Sequence, residues 1–409
     1  MSRADVSETT NSEIVAMEIE KRNNQQPTIR RALVSSLLLL AASALLSTST
    51  SSAQGRQWVT GDRMTLGTET NRSASVRMGD IDGDRDLDII VANGRHWPQQ
   101  NFVFFNQGAA KFNVMRPLGD DRRTTYACEL ADLDGDGDLD IATGNDMAAG
   151  RIFLNDGSGR FTSHGEFGEV SSVRSLTLAD IDNDGDIDIL ATSRGRPNRI
   201  YLNDGAANFQ PGPTFGQQGD STIDVAVADL NRDGRMDLVL ANRDGHPNEI
   251  LLGDDDSEFA KRISFGSGKD NTRAVVVADL NGDGRLDWIV GNIGKPNAIY
   301  LGDGKGNAQA SMSFGPADSR TYSLAIADMD NDGDLDVVVG NVAQRNTVYL
   351  NLGKASGFHE TPFGDPNSVT YGLCVGDVDG DGLADIAVAN SDGLNRVFLN
   401  RPQEKPVPE

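Results

Sequence analysis

The chain is short of the residues that many folds and catalysts depend on. Its 409 residues include two cysteines, Cys128 and Cys374, both within apolar, strand-like runs. Their repeat units are not neighbours, so they read as free buried thiols and no disulfide is expected. There are only four histidines, and no His/Cys cluster of the kind that holds zinc or copper. Basic residues are outnumbered, 37 Lys and Arg against 61 Asp and Glu, for a formal charge of −24. That balance excludes nucleic acid as the main partner, since phosphate contacts need basic surface. No G-x-S-x-G elbow or phosphate loop occurs, and no stretch after residue 56 carries a helical pattern.

Long apolar runs are also missing, with one exception. Residues 1–31 are polar and end in Arg30-Arg31, ahead of fifteen apolar or small residues, Ala32–Leu46. Such a run is short for a membrane span and suits the core of a signal peptide. Ser51 and Ala53 are placed for a cut before Gln54, so residues 32–53 are expected to be a leader core with its cleavage region. The expected location is secreted, periplasmic or at the cell surface. Thirty-one residues are many for the segment ahead of such a core. Either translation starts later, for example at Met17, or the segment stays as a membrane anchor. The tail 401–409 is expected to be disordered.

What the chain does have is glycine, aspartate and a period. Asp-rich stretches begin at Asp80, Asp132, Asp180, Asp229, Asp279, Asp328 and Asp377, spaced by 48 to 52 residues. A second marker runs in phase: Leu66-Gly67, Leu118-Gly119, Phe167-Gly168, Phe215-Gly216, Phe265-Gly266, Phe314-Gly315 and Phe363-Gly364. Within one unit, short runs of alternating apolar and polar residues are punctuated by Gly, Asn, Asp and Pro, which reads as four strands. Four strands per unit and seven units predict an all-β, seven-bladed β-propeller over residues 57–400. The last unit stops after three strands, at Asn395–Asn400, and Gln57–Gly67 is expected to supply its fourth and close the ring.

Each Asp stretch has nine positions, with oxygen-bearing side chains at 1, 3, 5 and 9. The first three loops carry Asp80, Asp82, Asp84, Asp86 and Asp88; Asp132, Asp134, Asp136, Asp138 and Asp140; and Asp180, Asp182, Asp184, Asp186 and Asp188. The fourth and fifth carry Asp229, Asn231, Asp233, Arg235 and Asp237, then Asp279, Asn281, Asp283, Arg285 and Asp287. The last two carry Asp328, Asp330, Asp332, Asp334 and Asp336, then Asp377, Asp379, Asp381, Leu383 and Asp385. Position 7 varies in chemistry, as expected where the main-chain carbonyl is the ligand. Position 6 is Gly in six of the seven loops, suiting a left-handed turn. Carboxylates packed this closely repel one another unless a cation sits among them. Hard oxygen donors in a short wrap suit Ca²⁺, so up to seven ions are expected. They would add +14 to the formal −24. The first loop, where Arg85 replaces Gly, is expected to be the weakest.

The paired markers, the D-x-[DN]-x-D-G-x-x-D loop and the seven-fold count resemble the FG-GAP repeats of the integrin alpha-subunit propeller. They are still more similar to the related VCBS repeats of secreted bacterial proteins. The Gly-Ala-Pro part of the motif is missing here. The resemblance implies Ca²⁺ on one face of the propeller and ligand binding on the other.

On that other face the loops carry basic and aromatic residues: Arg123, Arg174, Arg273 and Arg320 ahead of first strands, and His96, Trp97, Arg196, His246, Lys295 and Arg345 between second and third strands. A basic ring would focus an anionic ligand toward the centre, with Arg forks on carboxylates or sulfates. The expected function is an exported, monomeric binding or adhesion module for an anionic polysaccharide or a protein, without membrane insertion of the mature domain. The alternative is a polysaccharide lyase, with His96 or His246, a rim Tyr and an Arg as its chemistry.

Overall fold

The computed structural model describes residues 55–254 and 259–403, all within one compact unit. The expected polar segment 1–31 and leader 32–53 lie outside the described residues, as do 404–409 of the tail. Apart from one 3₁₀ turn at Asp62–Met64, the regular structure among the described residues is antiparallel β.

The strand pattern follows the sequence period. In the first complete sheet, Ser73–Gly79, Asp88–Asn93, Phe102–Phe105 and Val114–Pro117 pair in chain order. Second strands such as Asp88–Asn93 and Asp237–Asn242 are buried along their whole length, which explains their unbroken apolar centres. Fourth strands such as Lys261–Phe265 are largely exposed and polar.

The structure is a β-propeller of four-stranded antiparallel blades, but it forms six sheets where seven separate ones were expected. The difference arises in one place. Asp140–Asn155 and Phe161–Ala179 run for 16 and 19 residues without a break. They stay paired through register shifts between Asp146, Ala148 and Gly150. Four other units interrupt this connection with a proline-containing turn such as Gly195-Arg196-Pro197, and the last two interrupt it without proline at 342–345 and 391–394; at Asp146–Gly150 the strand instead stays paired across the junction. Two repeat units therefore share one six-stranded sheet.

The inner segments that lead into the seven Asp loops pack side by side in a closed cycle, with Thr370–Gly376 meeting Ser73–Gly79. Closure is also a matter of pairing. Arg56–Val59 lies antiparallel to Asn395–Pro402, with Trp58 opposite Asn400, and Thr65–Leu66 pairs with the other end of the same strand. That strand includes Arg401 and Pro402, so order extends two residues past the sequence boundary at 400.

Apolar side chains fill the spaces between adjacent repeats. Val76, Ile89, Val91 and Phe104 from the first sheet pack with Val378, Ala387, Val397 and Leu399 from the last. The marker glycines adopt positive φ, and several lie under an aromatic ring. A Cβ on Gly119 would come within 2.8 Å of the Phe153 ring.

Buried asparagines stitch the repeats together. Asn101 accepts the Asn93 amide N–H at 2.8 Å and donates to Thr125 Oγ1, in the next repeat, at 3.0 Å. The same link joins Asn198 to Thr222, Asn248 to Thr272, Asn346 to Thr370 and Asn395 to Ser73.

Candidate functional site

The Asp loops fold around their first carboxylate. Asp132 Oδ1 accepts the Gly135 N–H at 2.8 Å and Oδ2 accepts the Gly137 N–H at 3.0 Å. The fifth position turns back on the seventh, as when Asp136 Oδ1 accepts the Asp138 N–H at 3.0 Å. Two positions per loop, not one, are left-handed. Position 6 has φ of +97° at Gly137 and +76° at Arg85; position 4 has +77° at Gly135, +60° at Asn183 and +62° at Arg232. The second requirement was written in the sequence as Gly or Asn at position 4 of six loops.

The ninth-position aspartates do more than expected. Asp88 is fully buried; its Oδ2 accepts the Ile81 N–H at 3.1 Å and its Oδ1 the Asn106 N–H at 2.7 Å. Asn106 in turn donates to Val378 O, in the preceding repeat around the ring, at 2.7 Å. Asn155, Asn203, Asn351 and Asn400 make the corresponding bonds to Ile81, Leu133, Leu280 and Met329. Each of these loops is thus wired into the seam with its neighbour.

Five of the seven loops bring three carboxylates within 4.8 Å of one another: Asp80, Asp82 and Asp88; Asp132, Asp134 and Asp136; Asp180, Asp182 and Asp188; Asp328, Asp330 and Asp332; Asp377, Asp379 and Asp385. The loops starting at 229 and 279 form no such group among the described residues. Position 3 there is an amide, Asn231 or Asn281, and position 7 supplies a guanidinium. Arg285 donates to Asp283 at 2.5 Å, and Arg235 lies 3.5 Å from Asp233. These two loops therefore carry fewer carboxylates than the others. Leu383, the other non-acidic residue at position 7, has only its main chain to offer a cation.

The donor set fits Ca²⁺ on a separate observation. Asp82 Oδ1, Asp330 Oδ1 and Asp379 Oδ1 are buried without any hydrogen-bond partner. Orphaned carboxylate oxygens inside an all-oxygen cluster are what a hard cation would satisfy. Burial, reinforced by neighbouring carboxylates, pushes Asp88, Asp336 and Asp385 up to about 7, and Asp140 and Asp188 up to about 6. In the last loop Arg401 reaches Asp381 at 2.6 Å and also contacts Asp379.

At the opposite ends of the strands, part of the expected basic ring is paired with carboxylates. Arg123 pairs with Asp121 at 2.6 Å and Glu166 at 3.0 Å. His246 Nδ1 lies 3.1 Å from Asp220, and Lys295 lies 2.7 Å from Asp270. Arg196 donates to Val170 O at 3.3 Å. The side chains of Arg320 and Arg345 form no hydrogen bond or ion pair among the described residues. Trp97 is 63% exposed, with Arg72 5.9 Å from its ring centre. These residues are spread around the rim rather than gathered in one place.

The family model for the FG-GAP-like repeat matches the chain in six overlapping spans, 80–143, 132–191, 180–240, 229–290, 279–339 and 328–388. Together they cover well over half of the sequence. The chain belongs to the FG-GAP-like repeat family. No curated protein matches this FG-GAP repeat chain. Among solved structures, two crystals of BBS1N in complex with ARL6DN, one soaked with mercury and one with lead, share its fold. Their TM-scores are 0.57 and 0.56 at 13% and 12% identity, covering 84% of this chain and 96% of theirs.

Inside the FG-GAP ring, one cluster does converge. It is built on the residue six places before five of the seven Asp loops, at the entry of the inner strand: Tyr126, Arg174, Arg273, Tyr322 and Tyr371, with the apolar Ile223 at this place in the fourth repeat. The Arg174 guanidinium lies 4.5 Å from the Tyr126 ring centre, Arg273 lies 5.5 Å from Tyr322, and the Tyr322 and Tyr371 rings are 4.8 Å apart. The equivalent residue of the first repeat is the small Ala74. There Arg95 and His96, from the following loop, reach the two flanking tyrosines, Arg95 at 4.1 Å from the Tyr371 ring and His96 at 2.8 Å from the Tyr126 hydroxyl.

The tautomer of His96 follows from its partners. Arg95 Nη1 lies 3.1 Å from Nε2 and can only donate, so Nε2 accepts and Nδ1 carries the hydrogen toward Tyr126. Burial and the adjacent Arg95 and Arg174 charges lower the His96 pKa, which keeps the ring neutral. The Tyr126 hydroxyl thus accepts from His96 and has its own hydrogen to give. His96 holds φ +72°, an uncommon conformation for a side chain of its size.

Deeper along the axis, Arg77 donates to both oxygens of Glu129, at 2.7 and 2.6 Å. Burial alone would oppose this charge, but Glu129 raises the Arg77 pKa. Cys128 and Cys374 lie near this pair; both are free, and burial pushes both thiols up to about 12. Cys374 is half-buried rather than fully buried. The sequence pattern left Arg77, Glu129 and Arg95 unremarked, because one arginine or glutamate in a strand carries no signal until its partner is in space.

Proposed function

We propose that this FG-GAP repeat protein is an exported, Ca²⁺-stabilised binding module whose ring counts seven repeat units, two of them sharing one sheet. Calcium in the Asp loops holds each unit to its neighbour, and the opposite end of the ring binds an anionic glycan or a protein. The observation that carries the reading is the division of labour between the two ends. Acidic clusters with orphaned oxygens occupy one end. Guanidinium and phenol groups converge at the other. Export is supported by the arginine pair and apolar run ahead of Gln54, and it matches the need for a calcium-rich compartment. A protein ligand stays open beside a glycan, since BBS1N, of the same fold, forms a complex with ARL6DN.

The test is binding of the protein to a panel of acidic polysaccharides in millimolar calcium, repeated after chelation. Binding that needs calcium supports the reading. A protein that binds equally well and melts at the same temperature with and without calcium would sink the calcium half of it.

The His96–Tyr126 contact with Arg174 nearby favours a second reading, a polysaccharide lyase. Against it, the one lone pair of His96 is engaged by Arg95, and burial raises the Tyr126 pKa, which makes the phenol a poor base. Ultraviolet absorbance of unsaturated uronate products during the same incubations separates lyase from binding module.

A further inference from the structure

The five residues at the entry of the inner strands, with Arg95 and His96, form an unbroken chain of contacts around most of one mouth of the ring, from Arg174 through the tyrosines to Arg273. Donors are prominent in it, with the Asp146 carboxylate, its Oδ1 buried and unpartnered, beside Arg174. The Arg273 side chain makes no hydrogen bond among the described residues, and its nearest opposite charge is Asp224, on the neighbouring inner strand. Arg174 lies 3.6 Å from Asp146 and donates to Val173 O at 3.3 Å, which leaves part of its guanidinium fork unused. The Tyr126 hydroxyl, which accepts from His96 Nδ1, has its own hydrogen to donate. A guest here meets donors and aromatic surface, which suits an oxyanion carried on a compact ring.

The overall charge narrows the guest further. A formal −24 repels an extended polyanion along its whole length. A ligand presenting one carboxylate to a local cluster of guanidinium groups avoids most of that repulsion. We propose that this mouth is a binding site for a single carboxylate-bearing sugar ring, a uronate unit, with Arg273 and Arg174 holding the carboxylate, Tyr126 donating to it and Tyr322 and Tyr371 against the sugar. The inference rests on the binding-module reading and gives that reading its ligand and its place.

The test is isothermal titration of the full chain in saturating calcium with glucuronate, with glucose as the uncharged counterpart. Glucuronate is expected to bind and glucose not. Arg273→Gln is expected to weaken glucuronate by about tenfold or more, and Tyr126→Phe by about three- to tenfold, as for lost charge-assisted and neutral hydrogen bonds. Melting temperatures in calcium show whether each variant is folded; Tyr126→Phe, which only removes a hydroxyl, keeps the test open if Arg273→Gln is not. Glucuronate binding that is indifferent to both mouth substitutions overturns the inference. If glucuronate fails but an acidic polysaccharide binds and is lost in Arg345→Ala, the mouth is wrong and the binding-module reading stands. If neither binds, the anionic-ligand reading falls with it.

Discussion

Asn395 donates its side-chain amide to the Ser73 hydroxyl at 2.9 Å, joining residues 322 positions apart in the chain. Both are buried, and the Asn395 side-chain oxygen also accepts the Asn390 N–H at 2.8 Å. The bond repeats, at the junction where the ring closes, the link that joins other repeats. Asn395→Ala leaves buried groups unpaired on both sides of that junction. It is expected to destabilise the protein by about 1–3 kcal/mol, read from denaturant unfolding in calcium. An unchanged midpoint would mean that the seam is held by packing alone.

Calcium should be taken up unequally. Titration against a competing chelator is expected to resolve five stronger sites, matching the five convergent carboxylate groups. Asp134→Asn should reduce the calcium-induced rise in melting temperature, whereas Asp233→Asn, in a loop that already carries a guanidinium beside that carboxylate, should change it little. Seven equivalent sites would contradict the distinction.

Acidification should act in opposite directions with and without the ion. Burial raises all seven ninth-position carboxyls above their ordinary value of 3.8 in the cation-free fold, five of them to about 6 to 7. The fold therefore binds protons more tightly than the unfolded chain, and stability is lost as pH rises from about 4 through 7. In chelator, the melting temperature should be higher at pH 5 than at pH 8. In calcium the trend should reverse, because protons compete with the ion for the same oxygens. Parallel pH profiles in the two conditions would contradict this assignment.

Arg85 holds a left-handed backbone, φ +76°, where six other loops use glycine, and its side chain is exposed. Arg85→Gly is expected to stabilise the protein by about 1 kcal/mol by removing that strain. The measurement is the urea midpoint, and a lower midpoint would show that the arginine contributes something the backbone does not reveal.

The Arg77–Glu129 pair is two-pronged and lies on the inner strands, with Glu129 the more buried partner. Glu129→Leu alone should lower the melting temperature more than the double change Arg77→Met with Glu129→Leu, because the single change strands a cation. The reverse order would mean that Arg77 is adequately solvated along the axis.

The Asp loops could be read directly from the chain because each is a local object. Nine consecutive residues carry the carboxylates, the turn residues and the spacing, and the repeats confirm one another. Position 4 was equally visible, as Gly83, Gly135, Gly282 and Gly380 in four loops and Asn183, Arg232 and Asn331 in the others, yet only the φ values gave it meaning. The blade period and the return of the N-terminal segment to complete the last sheet, expected over Gln57–Gly67 and formed by Arg56–Val59 and Thr65–Leu66, also follow from local pattern plus the absence of a fourth strand at the end.

Other features depended on residues far apart in sequence. The sequence period alone could not reveal that Asp140–Asn155 and Phe161–Ala179 would pair without interruption, because that depends on hydrogen bonds between strands across a junction. Nor could it tell a free arginine from a paired one: Arg123 and Lys295 look like Arg273 on paper, and only their neighbours differ. Local chemistry therefore determined the repeat, its turns and the carboxylate clusters that suit a hard cation. Tertiary packing decided which charges are cancelled and which converge, because electrostatic partnership depends on distance in space and the ring brings together side chains that lie hundreds of residues apart.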